Sequence, residues 1–405
     1  MKPTQRLVTD HKDEKKTKKN DRKVNKNQPF QMKLSKETPL PYNFNFVEID
    51  LRKEDSLDML LNFLNKNMKV SDNESKWDLY YIKEYLEWEF VTPRYQKKWT
   101  VGLQNMITNE LVRFICGVEI NIEFGSKLLE IAEVSFLILE INHRSKNLSP
   151  FLIKEITRRI NLKGIFGAIN VSNKLLPNPL TKVTCFKLNI KKYLKGLLIQ
   201  KKSLGNQQKT SLTQDNKCLK EDHRVSLMIH DQKENQSDAI KFQINGNLWE
   251  ELREESMQSS FNLFNRCTSK FLCKVNFTIQ EFRWWFLKRK NVVYTYIKKN
   301  PKTNQVTDLF SFYIHFKRSK IDKSLQRTAH SFYNLNSSIN MKQLMKDAFI
   351  IIDRLGIEKY YCTNIMDNSS FIDSFPFKEL LEPLYYYFYN IKTEQILPNQ
   401  IAYLD

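Results

Sequence analysis

The sequence predicts a folded protein with two domains that each contain helices and strands. Hydrophobic residues make up 41% and aromatic residues 12% of the 405-residue chain, more than a disordered protein carries. Two apolar blocks, residues 41–199 and 240–405, lie on either side of a polar stretch at residues 200–236 that is rich in Lys, Gln, Asn and Ser. That stretch is predicted to be a connecting loop between an N-terminal and a C-terminal domain of similar size.

The N-terminal segment has a different composition. Residues 1–38 contain twelve Lys or Arg and five Asp or Glu, and almost no periodic apolar residues. This composition predicts a disordered basic tail. Two interpretations of the tail stay open: it aids solubility and attracts polyanions loosely, or it docks on a polyanion such as a ribosome.

The net charge and the cysteine content limit which classes of partner and which cellular compartment are expected. The chain has 65 Lys and Arg against 45 Asp and Glu, a formal charge of +20, which favours anionic partners such as nucleic acid, membrane headgroups or phosphorylated small molecules. No RNA-recognition, helix-turn-helix or zinc signature occurs in the apolar blocks, which weakens nucleic-acid binding as a function. The six cysteines form no Cys-x-x-Cys pair, and no run approaches the roughly 18 apolar residues of a membrane span. A cytoplasmic protein without a metal site or an integral membrane segment is therefore expected.

The clearest local pattern lies in the N-terminal block. Residues 131–139 are apolar and β-favouring with few interruptions, which predicts a buried strand. A basic turn follows, and Ser149-Pro150 then supplies an N-cap residue and a proline at the first helical position. Apolar residues recur at helical spacing up to Gly164, and residues 165–171 are again β-favouring. The predicted order is strand, basic turn, helix, strand.

The basic turn predicts an anion site. Arg144 and Lys146 precede a helix whose first backbone N–H groups and dipole also favour negative charge. A pyrophosphate group fits this arrangement, although a solvated basic cap has the same sequence pattern. The residue pattern alone therefore indicates an anion-binding domain and leaves its ligand open.

A longer set of residues extends this pattern over most of the chain. In order, the set comprises Phe136-Leu137-Ile138-Leu139, Arg144-Ser145-Lys146, Pro150, Lys154-Glu155-Ile156-Thr157-Arg158-Arg159, Gly164-Ile165-Phe166, Leu176-Pro177, Val306-Thr307-Asp308, Ser311-Phe312-Tyr313, Ser331-Phe332-Tyr333-Asn334, Met366-Asp367-Asn368 and Tyr386-Tyr387-Phe388-Tyr389-Asn390. It resembles the signature of the glycylpeptide N-myristoyltransferase family, over residues 41–199 and 277–405.

The resemblance implies an α+β fold in which two GNAT-like halves share one saddle-shaped mixed β-sheet with helices around it. The N-terminal half would hold myristoyl-CoA, and the C-terminal half would form much of the peptide groove. The implied reaction is transfer of a myristoyl group from myristoyl-CoA to the N-terminal glycine amine of nascent proteins. Myristoyl-CoA is a co-substrate in this reaction, so no further cofactor is expected, and the protein is expected to be a monomer.

The resemblance also implies roles for individual residues. Phe136 and Leu137 match the positions whose backbone N–H groups form the oxyanion hole, and Ile138 and Leu139 continue the strand that contacts acyl-CoA. The CoA phosphate loop matches Arg144, Ser145, Lys146, Asn147, Leu148 and Ser149. The substrate-binding positions match Tyr313, Tyr333 and Asn334. The family uses its terminal carboxylate as the catalytic base, which here is that of Asp405.

Several positions depart from the family pattern. Asn147 stands where a second basic residue is usual in the phosphate loop, and Asn170-Val171 replaces a Tyr-Thr pair near the reacting amine. Around residues 183–186 the family's His is absent. The leading hypothesis is an active transferase with an altered peptide preference. The alternatives are a diverged homologue that binds acyl-CoA or peptide with weak or no transfer, and an acyltransferase of the same fold that acts on another amine.

Overall fold

The computed structural model describes residues 37, 39–41, 43–68, 76–139, 148–207 and 241–403, apart from the side chains of residues 139 and 200–207. These parts of the chain form eighteen β-strands and eight α-helices. The α+β class is therefore confirmed. The tail at residues 1–36 and most of the predicted loop, residues 208–236, lie outside the described residues.

The elements alternate along the chain without long repeats. The N-terminal block contains β1 (Phe44–Glu48), α1 (Glu54–Asn67), β2 (Trp77–Tyr80), α2 (Lys83–Phe90), β3 (Thr100–Asn105), β4 (Leu111–Phe124), β5 (Lys127–Leu139), α3 (Ser149–Leu162), β6 (Gly167–Ser172), β7 (Thr181–Val183), β8 (Cys185–Asn189) and α4 (Ile190–Gln207). The C-terminal block contains β9 (Lys241–Ile244), β10 (Asn247–Glu251), α5 (Met257–Thr268), β11 (Cys273–Val275), α6 (Ile279–Phe286), β12 (Val293–Lys299), β13 (Val306–Ser319), β14 (Leu325–Leu335), α7 (Met341–Arg354), β15 (Lys359–Thr363), α8 (Ser369–Ile372), β16 (Lys378–Glu379), β17 (Leu384–Tyr389) and β18 (Ile401–Ala402).

The first sheet has the strand order β1-β3-β4-β5-β6-β17-β7, and β11 joins it by pairing with both β4 and β18. Its centre is the long antiparallel pair β4–β5, followed by the parallel pair β5–β6. The parallel pair needs a crossover, which α3 supplies. The apolar stripe Leu152, Ile156 and Ile160 of α3 is buried with Trp99, so the helix predicted from its spacing lies on the sheet as expected.

The second sheet has the order β16-β8-β15-β14-β13-β12-β10-β9, with β2 paired to β13. Helix α7 covers one face, where Leu344, Phe349 and Ile352 are buried with Tyr360 of β15. The opposite face of β13, β14 and β15 carries Tyr313, His330 and Tyr361 in register.

The two sheets exchange strands between the blocks. The resemblance implied a single saddle-shaped sheet. The structure instead has two nine-stranded sheets joined by an almost continuous strand. Only Thr184 separates β7 of the first sheet from β8 of the second, and its backbone N–H donates to Asn364 Oδ1 at 2.9 Å. Conversely, β11, β17 and β18 of the C-terminal block complete the first sheet. Each block therefore contributes to both cores.

Helix α4 extends into the stretch predicted to be a loop. It runs to Gln207, so residues 200–207 are helical where the sequence predicted an irregular connection. The helix is rich in Lys, Leu and Gln, which all favour helices whether polar or apolar, and Ile190 and Leu194 pack its start against the second core. None of the helices in the described ranges is long and apolar enough to span a membrane.

Candidate functional site

A β-bulge interrupts β5 at the residues predicted to form an oxyanion hole. Cys116 pairs with Ser135 and Phe114 pairs with Ile138, so Phe136 and Leu137 both stand opposite the single residue Ile115. Phe136 has a φ of 55°, in the left-handed region that residues other than glycine rarely occupy. A bulge of this kind leaves the extra residue out of the ladder, which makes backbone groups available beside the strand.

The neighbouring strand turns away from β5 at the same level. The parallel pairing of β5 with β6 ends at Glu133 and Ile169. Beyond it the side chain of Asn170 donates from Nδ2 to the carbonyl of Val134 at 2.7 Å, in place of a backbone partner. The backbone ladder between β5 and β6 therefore ends directly before the bulge.

The three predicted residues of this strand with described side chains have different surroundings. The Phe136 ring packs against Phe90 and Tyr81 at centroid distances of 4.7 and 5.5 Å. Leu137 is 38% exposed, whereas Ile138 is buried. The Leu139 side chain lies outside the described residues. Leu137 thus points toward the open side of the sheet, and its neighbours fix the bulge from the inside.

The predicted phosphate loop is described only at its end. Arg144, Ser145, Lys146 and Asn147 lie outside the described residues, whereas Leu148 is buried and Ser149 begins α3. The prediction that Ser149 caps the helix is wrong, because Leu148 occupies the N-cap position and makes no side-chain cap bond. The Ser149 hydroxyl instead accepts a hydrogen bond from Arg113 Nη1.

Arg113 is a residue that the sequence analysis missed. It lies in the apolar strand β4 and is fully buried, and burial lowers the pKa of its guanidinium. An arginine keeps its charge in proteins despite such a shift. Its contact with Ser149 puts a buried cation beside the positive end of the α3 dipole, an arrangement that favours an anion at this helix end.

Arg158 and Arg159 of α3 form hydrogen bonds within the protein. Glu155 is fully buried and accepts hydrogen bonds from Arg158 and Arg159 at 2.6–2.8 Å. Burial alone would raise the pKa of Glu155, but the hydrogen bonds from both arginines outweigh it and hold the pKa below its ordinary value. Arg159 also donates to the backbone carbonyl of Lys98. These charges are therefore satisfied within the protein.

A row of rings leads from the bulge to the second sheet. We call it the aromatic path. Its successive members are Phe136, Tyr81, Tyr85, His315, His330 and Tyr361, with centroid distances of 5.5, 5.8, 5.1, 4.4 and 4.8 Å. The Tyr85 hydroxyl also lies 3.2 Å from His315 Nε2. The path connects the bulge of one sheet with the face of the other sheet that lies opposite α7.

The two histidines of the aromatic path are neutral at pH 7. Burial, reinforced by Lys317, lowers the pKa of His315 to about 4. Burial also lowers the pKa of His330 well below its ordinary value, with His315 and Lys317 adding to the effect. Both imidazoles therefore serve as uncharged ring surfaces and hydrogen-bonding groups around neutral pH.

The three predicted substrate-binding residues lie at different depths. Tyr313 is half-buried and stacks on His330, with centroids 5.3 Å apart, beside the aromatic path. Tyr333 is buried and its hydroxyl donates to the Ala402 carbonyl at 3.1 Å. Asn334 is also buried, and its Nδ2 donates to Ser331 Oγ and Asn368 Oδ1. The geometry thus fits Tyr313 for contact with a ligand, whereas Tyr333 and Asn334 bind the protein's own groups.

The end of the described chain is anchored near β6. Ile401 and Ala402 pair with β11, and the Met366 backbone N–H donates to the Ile401 carbonyl at 3.0 Å. Tyr403 is buried, with its ring 5.9 Å from that of Tyr386, and Tyr386 pairs with Val171. Leu404 and the predicted base Asp405 lie outside the described residues.

Comparison with known proteins gives consistent matches over most of the chain. The family described as Myristoyl-CoA:protein N-myristoyltransferase matches with its N-terminal domain over residues 23–185 and its C-terminal domain over residues 227–402. A glycylpeptide N-tetradecanoyltransferase of Plasmodium falciparum is 29% identical over 370 residues, which cover 90% of this chain and 84% of that protein. The enzyme of that name from Dictyostelium discoideum is 28% identical over 362 residues, 87% of this chain and 81% of that protein. The fold is similar to that of Saccharomyces cerevisiae N-myristoyltransferase with bound myristoyl-CoA, with a TM-score of 0.73, 23% identity, and coverage of 90% of this chain and 83% of that one.

Proposed function

The chain belongs to the N-myristoyltransferase family, and we propose that it transfers a myristoyl group from myristoyl-CoA to the N-terminal glycine amine of protein substrates. The single observation that carries the proposal is the bulge at Phe136 and Leu137, with its φ of 55° at Phe136. It lies where β5 and β6 cease to pair. A backbone held in this rare conformation is typical of functional sites.

The bulge provides the stabilisation that acyl transfer requires. When the glycine amine attacks the thioester carbonyl, negative charge develops on its oxygen. The backbone N–H groups of Phe136 and Leu137 donate hydrogen bonds to that oxygen in our proposal. Fixed donors of this kind are worth about 10²–10³ in rate each, because they are in place before the charge appears.

Proton transfer needs a base near the attacking amine. An N-terminal amine has a pKa near 8, so only about a tenth of it is neutral at pH 7. A carboxylate of Asp405 accepts the proton in our proposal, as the C–N bond forms and the C–S bond breaks to release the CoA thiolate. The anchoring of Tyr403 beside Tyr386 supports this role, because two further residues reach at most about 7 Å.

The anion site at α3 binds the CoA phosphates in our proposal. Arg144 and Lys146 supply charge from the loop, and the free N–H groups of the first helical turn add hydrogen bonds. Arg113 supports the site from below through Ser149. The Arg113 guanidinium supplies a positive charge, which the uncharged side chain of Asn147 does not.

The alternative is a homologue that binds acyl-CoA with little transfer. One observation favours it: next to the bulge, the amide of Asn170 is engaged with the Val134 carbonyl, and Val171 has no polar side-chain atom. Val171 therefore cannot assist the amine through its side chain, and the amide nitrogen of Asn170 is already in use. Transfer then depends on Asp405 alone as a base, which makes the rate the deciding quantity.

The test is a transfer assay with radiolabelled myristoyl-CoA and a peptide that begins with glycine, with the N-acetylated peptide as control. We expect saturable transfer to the free amine and none to the acetylated one. Calorimetric binding of myristoyl-CoA is measured in parallel. Tight binding without transfer would favour the alternative, and absence of both would refute the proposed function.

A further inference from the structure

Three lysines gather at the far end of the aromatic path. Lys187, Lys317 and Lys359 stand on β8, β13 and β15, all on the face that carries Tyr361. Lys317 Nζ donates to the Tyr361 hydroxyl at 3.1 Å and lies 4.8 Å from its ring centroid. Lys187 Nζ lies 5.8 Å from the same ring. We call the three lysines the basic cluster.

The three amines of the basic cluster form no ion pair with a carboxylate in the described part of the chain. No Asp or Glu oxygen there lies within 4.0 Å of any of the three amines. The hydrogen-bond acceptors of two of these amines are neutral: Lys317 donates to the Tyr361 hydroxyl, and Lys359 donates to Gln326 Oε1 at 2.7 Å. Nearby Lys191, by contrast, pairs with Glu358 at 2.7 Å. The cluster is therefore a concentration of unneutralised positive charge.

Burial lowers the pKa of two amines of the basic cluster, and repulsion by the other two amines adds to this effect at Lys359. Burial lowers the pKa of Lys317. Burial also lowers the pKa of Lys359, the charges of Lys187 and Lys317 lower it further, and the charge of Glu358 offsets part of this effect. Amines that lose hydration and repel each other gain from a shared anion. The three lysines are half-buried, so an anion from outside can reach them.

The distance from the bulge fixes which part of a substrate meets the cluster. The aromatic path runs from Phe136 to Tyr361 through five ring contacts of 4.4–5.8 Å. An extended peptide advances about 3.3–3.6 Å per residue. A glycine amine held at the bulge therefore places a side chain roughly four to eight residues downstream at the basic cluster.

We propose that the basic cluster selects protein substrates with an acidic side chain, Asp or Glu, about four to eight residues after the N-terminal glycine. This inference rests on the proposed function, because it takes the bulge as the place of the glycine amine. The aromatic path sets the distance between the bulge and the basic cluster, and the lysines bind the carboxylate. Specificity for an anion is separate from the acyl-transfer step.

The experiment compares peptides that differ at one position. A neutral peptide beginning with glycine carries Glu, Gln or Lys at each position from four to eight in turn. We expect kcat/KM with Glu to exceed that with Gln by about tenfold at one or two adjacent positions, as for a charge-assisted hydrogen bond. Lys should be the poorest of the three, and the preference should shrink in high salt.

Variants tie the preference to the basic cluster. Lys317→Gln and Lys187→Gln should remove most of the preference for Glu, and Lys317→Glu should invert it toward the Lys peptide. Lys191→Gln is the matched control, because Lys191 has a partner in Glu358; it should retain the preference. Circular dichroism checks that each variant folds, and the wild-type peptide series tests the proposal without any variant.

Two outcomes separate this inference from the proposed function. Equal kcat/KM for Glu and Gln peptides at every position, with transfer intact, would overturn the inference alone. If no glycine peptide is acylated, the same peptides are titrated calorimetrically in the presence of myristoyl-CoA. Tighter binding of a Glu peptide than of its Gln counterpart would then still support an anion-selective groove, and equal binding would refute it.

Discussion

The two ends of the aromatic path use different chemistry. At the bulge, the features that matter belong to the backbone: the positive φ of Phe136 and the loss of pairing between β5 and β6. At the basic cluster, they belong to side chains that stand on regular strands. A backbone site tolerates changes of residue type as long as its conformation survives, whereas a side-chain site changes with a single substitution. Under the two proposals, this difference would let the fold keep its reaction while its substrate preference changes.

The largest effect is expected from removing the proposed base. Deleting Leu404 and Asp405 should reduce the transfer rate by about two orders of magnitude, as for loss of a general base. Binding of myristoyl-CoA should survive, because the bulge and the α3 anion site are untouched. Single-turnover transfer and calorimetry measure the two quantities.

A milder variant locates the base more closely. Asp405→Asn removes one side-chain carboxylate and leaves the backbone in place. Activity retained in Asp405→Asn but lost in the deletion would assign the proton to the backbone carboxylate. Full activity in both proteins would show that the base lies elsewhere.

The next effect separates backbone from side chain at Phe136. Phe136→Val puts a β-branched residue at a φ of 55°, a conformation that such residues avoid, so the bulge should rearrange. Transfer should fall by about 10², the effect of losing an oxyanion donor. Phe136→Gly accepts the same φ without strain and should retain far more transfer than the Val variant.

Stability measurements show whether a difference in transfer between the two variants comes from the bulge or from a loss of folded protein. Both variants lose the ring contacts with Phe90 and Tyr81, so both should unfold more easily than wild type in urea, whereas the Gly variant should transfer faster than the Val variant. Equal transfer rates in the two variants would contradict a backbone role for the bulge.

A smaller effect is expected at the phosphate loop. Replacing Arg144 and Lys146 together by Ala should weaken myristoyl-CoA binding at least about tenfold, since each charge-assisted contact contributes about 1.5–3 kcal/mol. Lys154→Ala is the control, because Lys154 is exposed on the same helix. Unchanged affinity for myristoyl-CoA in the double variant would show that the loop does not bind the CoA phosphates.

The smallest effect concerns pH and the aromatic path. His315 has a folded-state pKa near 4, against an ordinary value of 6.5. Below pH 6.5 the unfolded chain takes up a proton that the folded protein refuses, so stability should fall as pH decreases from about 6.5 to about 4 and level off below. Urea unfolding across this range measures the decline. It should be shallower in His315→Gln, and a slope identical to wild type would contradict the burial of a neutral imidazole.

Local patterns predicted the frame of the acyl-CoA site but not its details. The predicted strand, helix and strand were confirmed as β5, α3 and β6, because each element follows from spacing over a few residues; the basic turn before α3 lies outside the described residues. The bulge gives no signal of its own, since Phe136 lies in an ordinary apolar run. The Arg113–Ser149 contact joins residues 36 positions apart, and only the register of β4 against β5 brings them together.

The basic cluster was beyond sequence analysis for the same reason. Lys187, Lys317 and Lys359 lie on three strands far apart in the chain, in a protein with 65 Lys and Arg. Their spacing becomes meaningful only when β8, β15, β14 and β13 are placed side by side. Pairing over long sequence separations depends on the whole sheet rather than on local pattern.

A structure with a non-hydrolysable myristoyl-CoA analogue would show whether the bulge forms the oxyanion hole. We expect the carbonyl oxygen next to the sulfur replacement to lie about 2.7–3.1 Å from the backbone nitrogens of Phe136 and Leu137, in the opening between β5 and β6. The CoA phosphates should lie at the first turn of α3. A carbonyl oxygen bound elsewhere, with the bulge nitrogens facing solvent or the core, would contradict an oxyanion hole at the bulge.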